Sequence, residues 1–242
     1  MKREPARTAP RSPAELEAEL RAIGEARYHN RHPFNQRMHR GELSRAELQL
    51  WVANRFYYQE AIPRKDAALM SNCPERDVRR AWIQRIIDHD GDATNEGGLE
   101  AWLRLGEAMG VPRETLISHR WLLPGVEFAV NAYVEFCRVR PWLEAAAASL
   151  TELFAPTIVG ERLSAILTHY QWIDPEGLQY FRNRLSQAPR DARYALALVK
   201  ERATTRELQD HMIAALEFKC DVLWSLLDAV ERGPVPWTRD PP

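Results

Sequence analysis

Polar and charged side chains interrupt stripes of the sequence that should face a core. From Ser44 the inward stripe reads Leu48, Trp51/Val52, Arg55, Gln59, Ile62, in steps of three or four. Tyr58 flanks Arg55 and Gln59. Near the C-terminus, Met212, Leu216, Lys219, Leu223, Leu226/Leu227 and Val230 form a second stripe, broken by Lys219. A third, Ile158, Arg162, Ile166, carries Arg162; a fourth, Trp82, Ile86, His89, has Arg85 one turn before His89. Buried charges are costly unless paired. Taken singly, each cation reads as one that snorkels to solvent or pairs with a carboxylate, and His89 as a cap or a satisfied core residue. Taken together, Arg55, Arg162 and Lys219 describe a cationic internal cavity that suits an anionic ligand. Arg reads carboxylates in bidentate fashion, Tyr58 and Gln59 add neutral hydrogen bonds, and His89 adds a proton acceptor near neutral pH. The chemistry expected is binding of a polycarboxylate beside a histidine base.

The elements that must position these residues are helices. Ser12-Pro13-Ala14-Glu15 and Ser44-Arg45-Ala46-Glu47 are capping boxes, the first with Pro at the opening helical position. His32-Pro33 breaks the first helix, and Gly41 ends a short element after it. The helix from Ser44 is expected to run to Pro63. Further helices are expected from Pro74 to the His89-Asp90-Gly91 corner, from Gly97 to Met109, from Pro124 to Arg138, from Pro141 to Phe154, and from Pro156 to about His169. Two more run from Asp174-Pro175 towards Lys200 and from Thr204-Thr205 through Ala229. Strict two-residue alternation is missing. The fold class is all-α, a single domain over 12–232, with a disordered leader at 1–11 and an irregular tail at 233–242.

Composition narrows the function further. The chain has 242 residues, 45% of them apolar, with 33 Lys+Arg against 34 Asp+Glu and a formal charge of -1. That balance argues against a nucleic-acid binder and against wholesale disorder. No run of about 18 apolar residues is present, so no membrane span is expected. The basic N-terminus has no apolar run behind it, so no secretory signal is expected. Cys73, Cys137 and Cys220 are odd in number and widely spaced, which suits a reducing cytoplasm and makes no zinc motif. There is no nucleotide-binding glycine loop and no paired Glu-x-x-His turn of a di-iron site. His29, His32 and His39 lie close in sequence without a carboxylate cluster, so no metal is expected there.

The strings WVANRFYYQEAIPRKDAALMSNCP (51–74), QRIIDHDGD (84–92), GLEAWLRLGEAMG (98–110), SLTELFAP (149–156), RLSQAPRDARYALA (184–197) and FKCDVLWSLLDA (218–229) closely resemble the pyrroloquinoline-quinone synthase (PqqC) family. The resemblance spans Tyr28 to Ala229. It implies a helical bundle of the haem-oxygenase-like or TenA-like type, acting as a homodimer. The implied reaction is the last step of pyrroloquinoline quinone (PQQ) synthesis. A bicyclic quinoline precursor bearing carboxylates is closed into a third ring and loses eight electrons to O2, forming H2O2. No metal or redox cofactor takes part; PQQ is the product and O2 the co-substrate. His89 matches the general base, and Tyr180 and Arg184 match a pair beside the oxygen. Tyr28, His29, Arg55, Tyr58, Gln59, Arg85, Tyr133, Thr151, Glu152, Arg162 and Lys219 match substrate-binding positions.

One departure stands out. Some members carry a third polar residue of the oxygen site, a histidine, where this chain has Val159. Two rival readings follow. A thiaminase-like hydrolase on the same fold would use Cys137 as nucleophile with a carboxylate such as Glu217, but three inward cations suit no cationic substrate. A non-catalytic PQQ-binding protein would result if Val159 disables the oxygen chemistry. Other proteins of the PQQ pathway are expected partners.

Overall fold

The computed structural model of the protein describes residues 9–234, and every described element is helical. In chain order they are α1 (Pro13–Arg27), α2 (Pro33–His39), α3 (Arg45–Asn72), α4 (Arg76–Asp90), α5 (Gly97–Ala108), α6 (Arg113–Ile117), α7 (Pro124–Val139), α8 (Trp142–Ala148), α9 (Ala155–His169), α10 (Gln179–Arg202) and α11 (Arg206–Arg232). Short 3-10 turns occupy His29–Arg31, Ser149–Leu153 and Pro175–Leu178. Most of the expected leader and tail falls on 1–8 and 235–242, outside the described residues. Arg11, assigned by sequence to the disordered leader, is held in place: its side chain pairs with Glu19 and Asp210, and its backbone exchanges hydrogen bonds with Gln209.

Both capping boxes form as the sequence dictates, each serine oxygen accepting from the backbone N–H of its glutamate. Proline misled the reading at Pro63 and not at Pro189, which lies inside a helix expected to pass it. The helix from Ser44 does not stop at Pro63 but continues to Asn72, and α10 runs through Pro189. Both prolines are buried or half-buried within packed helices, where tertiary contacts outweigh the lost main-chain bond. Pro63 has no N–H to give the carbonyl of Gln59, four residues back, so α3 lacks one main-chain bond beside a candidate site residue. The helix expected over 141–154 divides into α8 and a 3-10 turn at Ser149–Leu153, and the last helix extends past Ala229 to Arg232. The five-residue α6 escaped the sequence reading.

Helices α3 and α11 form the middle of the bundle. The first packs on α4, α5 and α7, the second on α1, α7 and α8. Helix α10 closes over the Ser149–Leu153 turn and α9. Trp51, Trp82, Trp102, Phe34 and Phe181 are fully buried between them. Trp102 of α5 donates to the Val52 carbonyl of α3 at 2.9 Å, which ties these helices together beside the site.

Two glycines shape the α4–α5 corner. Gly91 and Gly97 have φ of +85° and +82°. A Cβ on Gly97 would lie 2.5 Å from the His89 carbonyl oxygen. The corner that carries His89 therefore requires glycine on conformational and steric grounds together.

Candidate active site

An internal cavity of about 50 Å³ lies between α3, α5, α9, α10, α11 and the two 3-10 turns at His29–Arg31 and Ser149–Leu153. Ten of the expected site residues line it: Tyr28, His29, Arg55, Tyr58, Gln59, Thr151, Glu152, Arg162, Tyr180 and Arg184. Val159 lines it too, at the position of the departure noted above. Apolar walls come from Ile62, Trp102, Ile158, Phe181 and Leu223, which no sequence signal distinguished from core. Arg85, His89, Tyr133 and Lys219 are buried behind this wall rather than on it.

The charges divide into two groups. In and behind the wall, Lys65, Arg85, Arg184 and Arg190 face Asp66, Asp88, Glu152 and Asp191, four cations against four carboxylates. Lys65 Nζ meets Asp66 Oδ1 at 2.5 Å, and Trp82 Nε1 donates to the same oxygen at 2.7 Å. Arg184 Nη2 donates to Glu152 at 2.5 Å. Arg85 reaches Asp66, Glu152 and Asp191 at 3.4–3.6 Å. Mutual attraction holds Asp66 and Glu152 below the usual carboxylate range despite burial. Lys65, Asp66 and Asp191 were missed by the sequence reading; the adjacent Lys65-Asp66 in an apolar run of α3 was the available signal.

The second group is Arg55, Arg162 and Lys219. Among the described residues, none of them meets a carboxylate within 4.0 Å. Arg55 lies over the Tyr58 ring at 3.9 Å, and Arg162 over Trp51 at 5.1 Å. Lys219 Nζ lies 3.6 Å from the Tyr133 ring centre and donates to Tyr58 Oη at 2.7 Å. Burial and the neighbouring Arg55 and Lys65 push the Lys219 pKa well below that of an ordinary lysine. Burial, with Arg55 adding to it, lowers Arg162 to about 10. These cations therefore have no carboxylate partner of their own among the described residues.

His89 Nδ1 lies 2.9 Å from the Arg85 carbonyl oxygen, which can only accept. The ring therefore carries its hydrogen on Nδ1 and leaves a lone pair on Nε2, a buried atom without a hydrogen-bond partner. Burial, with Arg184 adding repulsion, lowers its pKa to about 4. The adjacent Asp88 does not counter this, because Arg190 and Gln84 engage it. Arg85 Nε and Nη1, Arg162 Nε and Arg184 Nη1 are likewise buried without a hydrogen bond, though the Arg85 and Arg184 atoms keep longer ionic contacts. Tyr180 Oη donates to Gln59 Oε1 at 2.8 Å.

The three neighbouring histidines go separate ways. His29 lines the cavity, His39 faces Glu161, and His32 faces Asp228 and Glu231. That last trio brings three ligand-type atoms within 4.8 Å of one another. His32 Nδ1, however, accepts from the Phe34 N–H at 3.1 Å, so the neutral ring has its hydrogen on Nε2, the atom facing Asp228. This is the geometry of a helix cap leaning on a carboxylate.

Residues 17–229 match the TENA/THI-4/PQQC family. Among curated relatives, the pyrroloquinoline-quinone synthase of Ectopseudomonas mendocina is 58% identical over 90% of this chain and 87% of its own length. The protein of the same description from Cronobacter sakazakii is 57% identical over the same shares. Among solved structures, a protein of heme oxygenase-like fold from Shewanella denitrificans aligns with a TM-score of 0.73 at 15% identity, covering 93% of this chain and 94% of that one. A TenA homologue from P. horikoshii aligns at 0.72 and 12% identity, covering 90% and 99%. The haem-oxygenase-like bundle expected from the sequence is therefore the fold observed.

Proposed function

Because the chain belongs to the TENA/THI-4/PQQC family, and resembles its quinone synthases along nearly its whole length, we propose that it is an oxidoreductase completing PQQ biosynthesis. The reaction is ring closure and eight-electron oxidation of a bicyclic quinoline-dicarboxylate precursor, with O2 as acceptor and H2O2 formed. No metal or redox cofactor is needed, since the substrate's own quinol system carries the electrons.

The observation that carries this reading is the charge imbalance. A balanced lattice of four cations and four carboxylates stands in and behind the cavity wall, and Arg55, Arg162 and Lys219 are outside it. Cations without a carboxylate partner, Arg162 and Lys219 buried and Arg55 half-buried, favour an anion, because a ligand carboxylate restores the pairing that burial removed. His89 supplies the base. Its fixed tautomer and lowered pKa keep Nε2 unprotonated at neutral pH, so that it accepts a proton from a ring carbon once binding shifts the wall in front of it. The carbonyl of Arg85 holds the ring in that orientation as the proton arrives. Arg184 Nη1 offers a donor to reduced oxygen, with Tyr180 one turn away on α10.

The hydrolase reading loses its residues. Cys137 is absent from the cavity wall, and burial raises its thiol to about 11. Glu217 is partly exposed and paired with Arg27 at 2.8 Å. The apolar Val159 in the wall favours, as a second reading, a PQQ-binding protein without turnover. We further propose a homodimer that works with other proteins of the pathway in a reducing cytoplasm. Three free, buried cysteines support that compartment, and no described helix is long and apolar enough to cross a membrane.

The test is to mix the protein with the reduced bicyclic precursor in air and follow absorbance, oxygen uptake and peroxide. Formation of the tricyclic quinone with oxygen consumption is expected. Tight binding of PQQ without conversion of the precursor would select the second reading.

A further inference from the structure

Asn35 is fully buried on α2 and stands outside the cavity wall, yet its side chain touches two residues of that wall. Arg162 Nη2 donates to Asn35 Oδ1 at 2.9 Å. A guanidinium only donates, so this atom is the amide oxygen. Asn35 Nδ2 donates to the His29 carbonyl at 2.7 Å, and a carbonyl only accepts. The two bonds agree and fix which way the amide points. The same Nδ2 faces His29 Nδ1 at 3.4 Å. A hydrogen on Nδ1 would set two N–H groups against each other, so the neutral ring carries its hydrogen on Nε2. Burial, together with Arg55, Arg162 and Lys219, holds the His29 pKa well below the ordinary value, and the ring is neutral.

We infer that Asn35 is a positioning residue: through one amide it presents the His29 Nε2–H and the Arg162 guanidinium to the cavity as a joint donor set for one ligand carboxylate. His29 then binds as a neutral donor. His89 has the opposite tautomer, with its lone pair on Nε2. The two histidines divide the work, one donating to the ligand and the other accepting from it, and a backbone or side-chain partner fixes each assignment. The carboxylate occupant rests on the function proposed above; the tautomer of His29 does not.

The nitrogen resonances of histidine in the 15N-labelled, ligand-free protein test the tautomer directly at pH 7, with His29→Gln identifying the signal. A protonated Nε2 and a lone pair on Nδ1 are expected at His29; a protonated Nδ1 would overturn the inference. In Asn35→Asp the second carboxylate oxygen invites a hydrogen onto His29 Nδ1 and neutralises Arg162. Its affinity for PQQ should fall roughly ten- to hundredfold. His29→Gln, whose amide N–H replaces Nε2–H, should hold PQQ better than His29→Asn. Parent-like affinity in Asn35→Asp would also overturn the inference. A parent protein that binds no PQQ would defeat the polycarboxylate reading and the occupant assigned here, while the nitrogen spectrum still decides what Asn35 does.

Discussion

Burial pushes both His89 and Lys219 towards their neutral forms, with opposite consequences for ligand binding. A neutral His89 is ready to accept a proton. The lowered Lys219 pKa makes its ammonium easier to lose, and a bound carboxylate raises that pKa again. Affinity for PQQ should therefore fall as pH rises through the lowered Lys219 pKa, with protons taken up on binding in that range. Calorimetry in two buffers of different ionisation enthalpy checks this; equal heats would contradict it. Lys219→Ala and Arg55→Ala should each weaken PQQ binding by roughly 2–5 kcal/mol, read from direct titration, because each removes one of the uncompensated cations. The cations and His89 were legible in the sequence because their stripes put charge where the core lies. That Arg85, His89, Tyr133 and Lys219 sit behind the wall was not legible. Their depth depends on Tyr58 and on the Asp66, Glu152 and Asp191 lattice, whose members come from separate helices.

The elements place these residues through a few local commitments. Helix α4 must end in a left-handed corner for His89 to meet the interior, and Gly91 and Gly97 allow it. Gly97→Ala combines an unfavourable φ with a Cβ 2.5 Å from the His89 carbonyl oxygen. It should lose about 1–2 kcal/mol in urea unfolding from the conformation alone, and turnover should fall further than stability explains. Parent-like stability and turnover would show that the corner is slack. Caps and glycine stops could be read from the sequence because each acts within one turn. Pro63 was misread because a breaker inside a helix is overruled only by packing that the sequence does not display. The cavity's size bears on the elements too. About 50 Å³ holds a few water molecules, far less than a bicyclic ligand. Lining side chains or helices must shift on binding, so PQQ should change hydrogen-exchange protection in the segments around the cavity.

At the scale of the whole molecule, burial lowers the pKa of four histidines, His29, His32, His39 and His89. His29 lies well below its ordinary value, and His39 and His89 are lowered to about 4. The unfolded chain binds more protons than the folded one below about pH 6.5, so stability is full above that value and is lost as pH falls towards 4. Each group contributes at most about 1.4 kcal/mol per pH unit within that window. Urea midpoints at pH 7.5 and pH 5 should differ accordingly, and His39→Gln should flatten the difference; equal midpoints would contradict the burial account. The all-helical architecture was legible because capping, period and turn signals agreed along the chain, while the charge lattice emerges only when the helices meet. The central claim is that this one cavity holds the precursor while His89 Nε2 takes its ring protons. Stopped-flow absorbance after mixing parent and His89→Asn with the reduced precursor, first under nitrogen and then with oxygen, tests it most directly. Both proteins should show the bound-precursor spectrum, with the parent proceeding to the tricyclic quinone and His89→Asn stalling about 10²–10⁴-fold slower. Product formation by His89→Asn at the parent's rate would contradict the account.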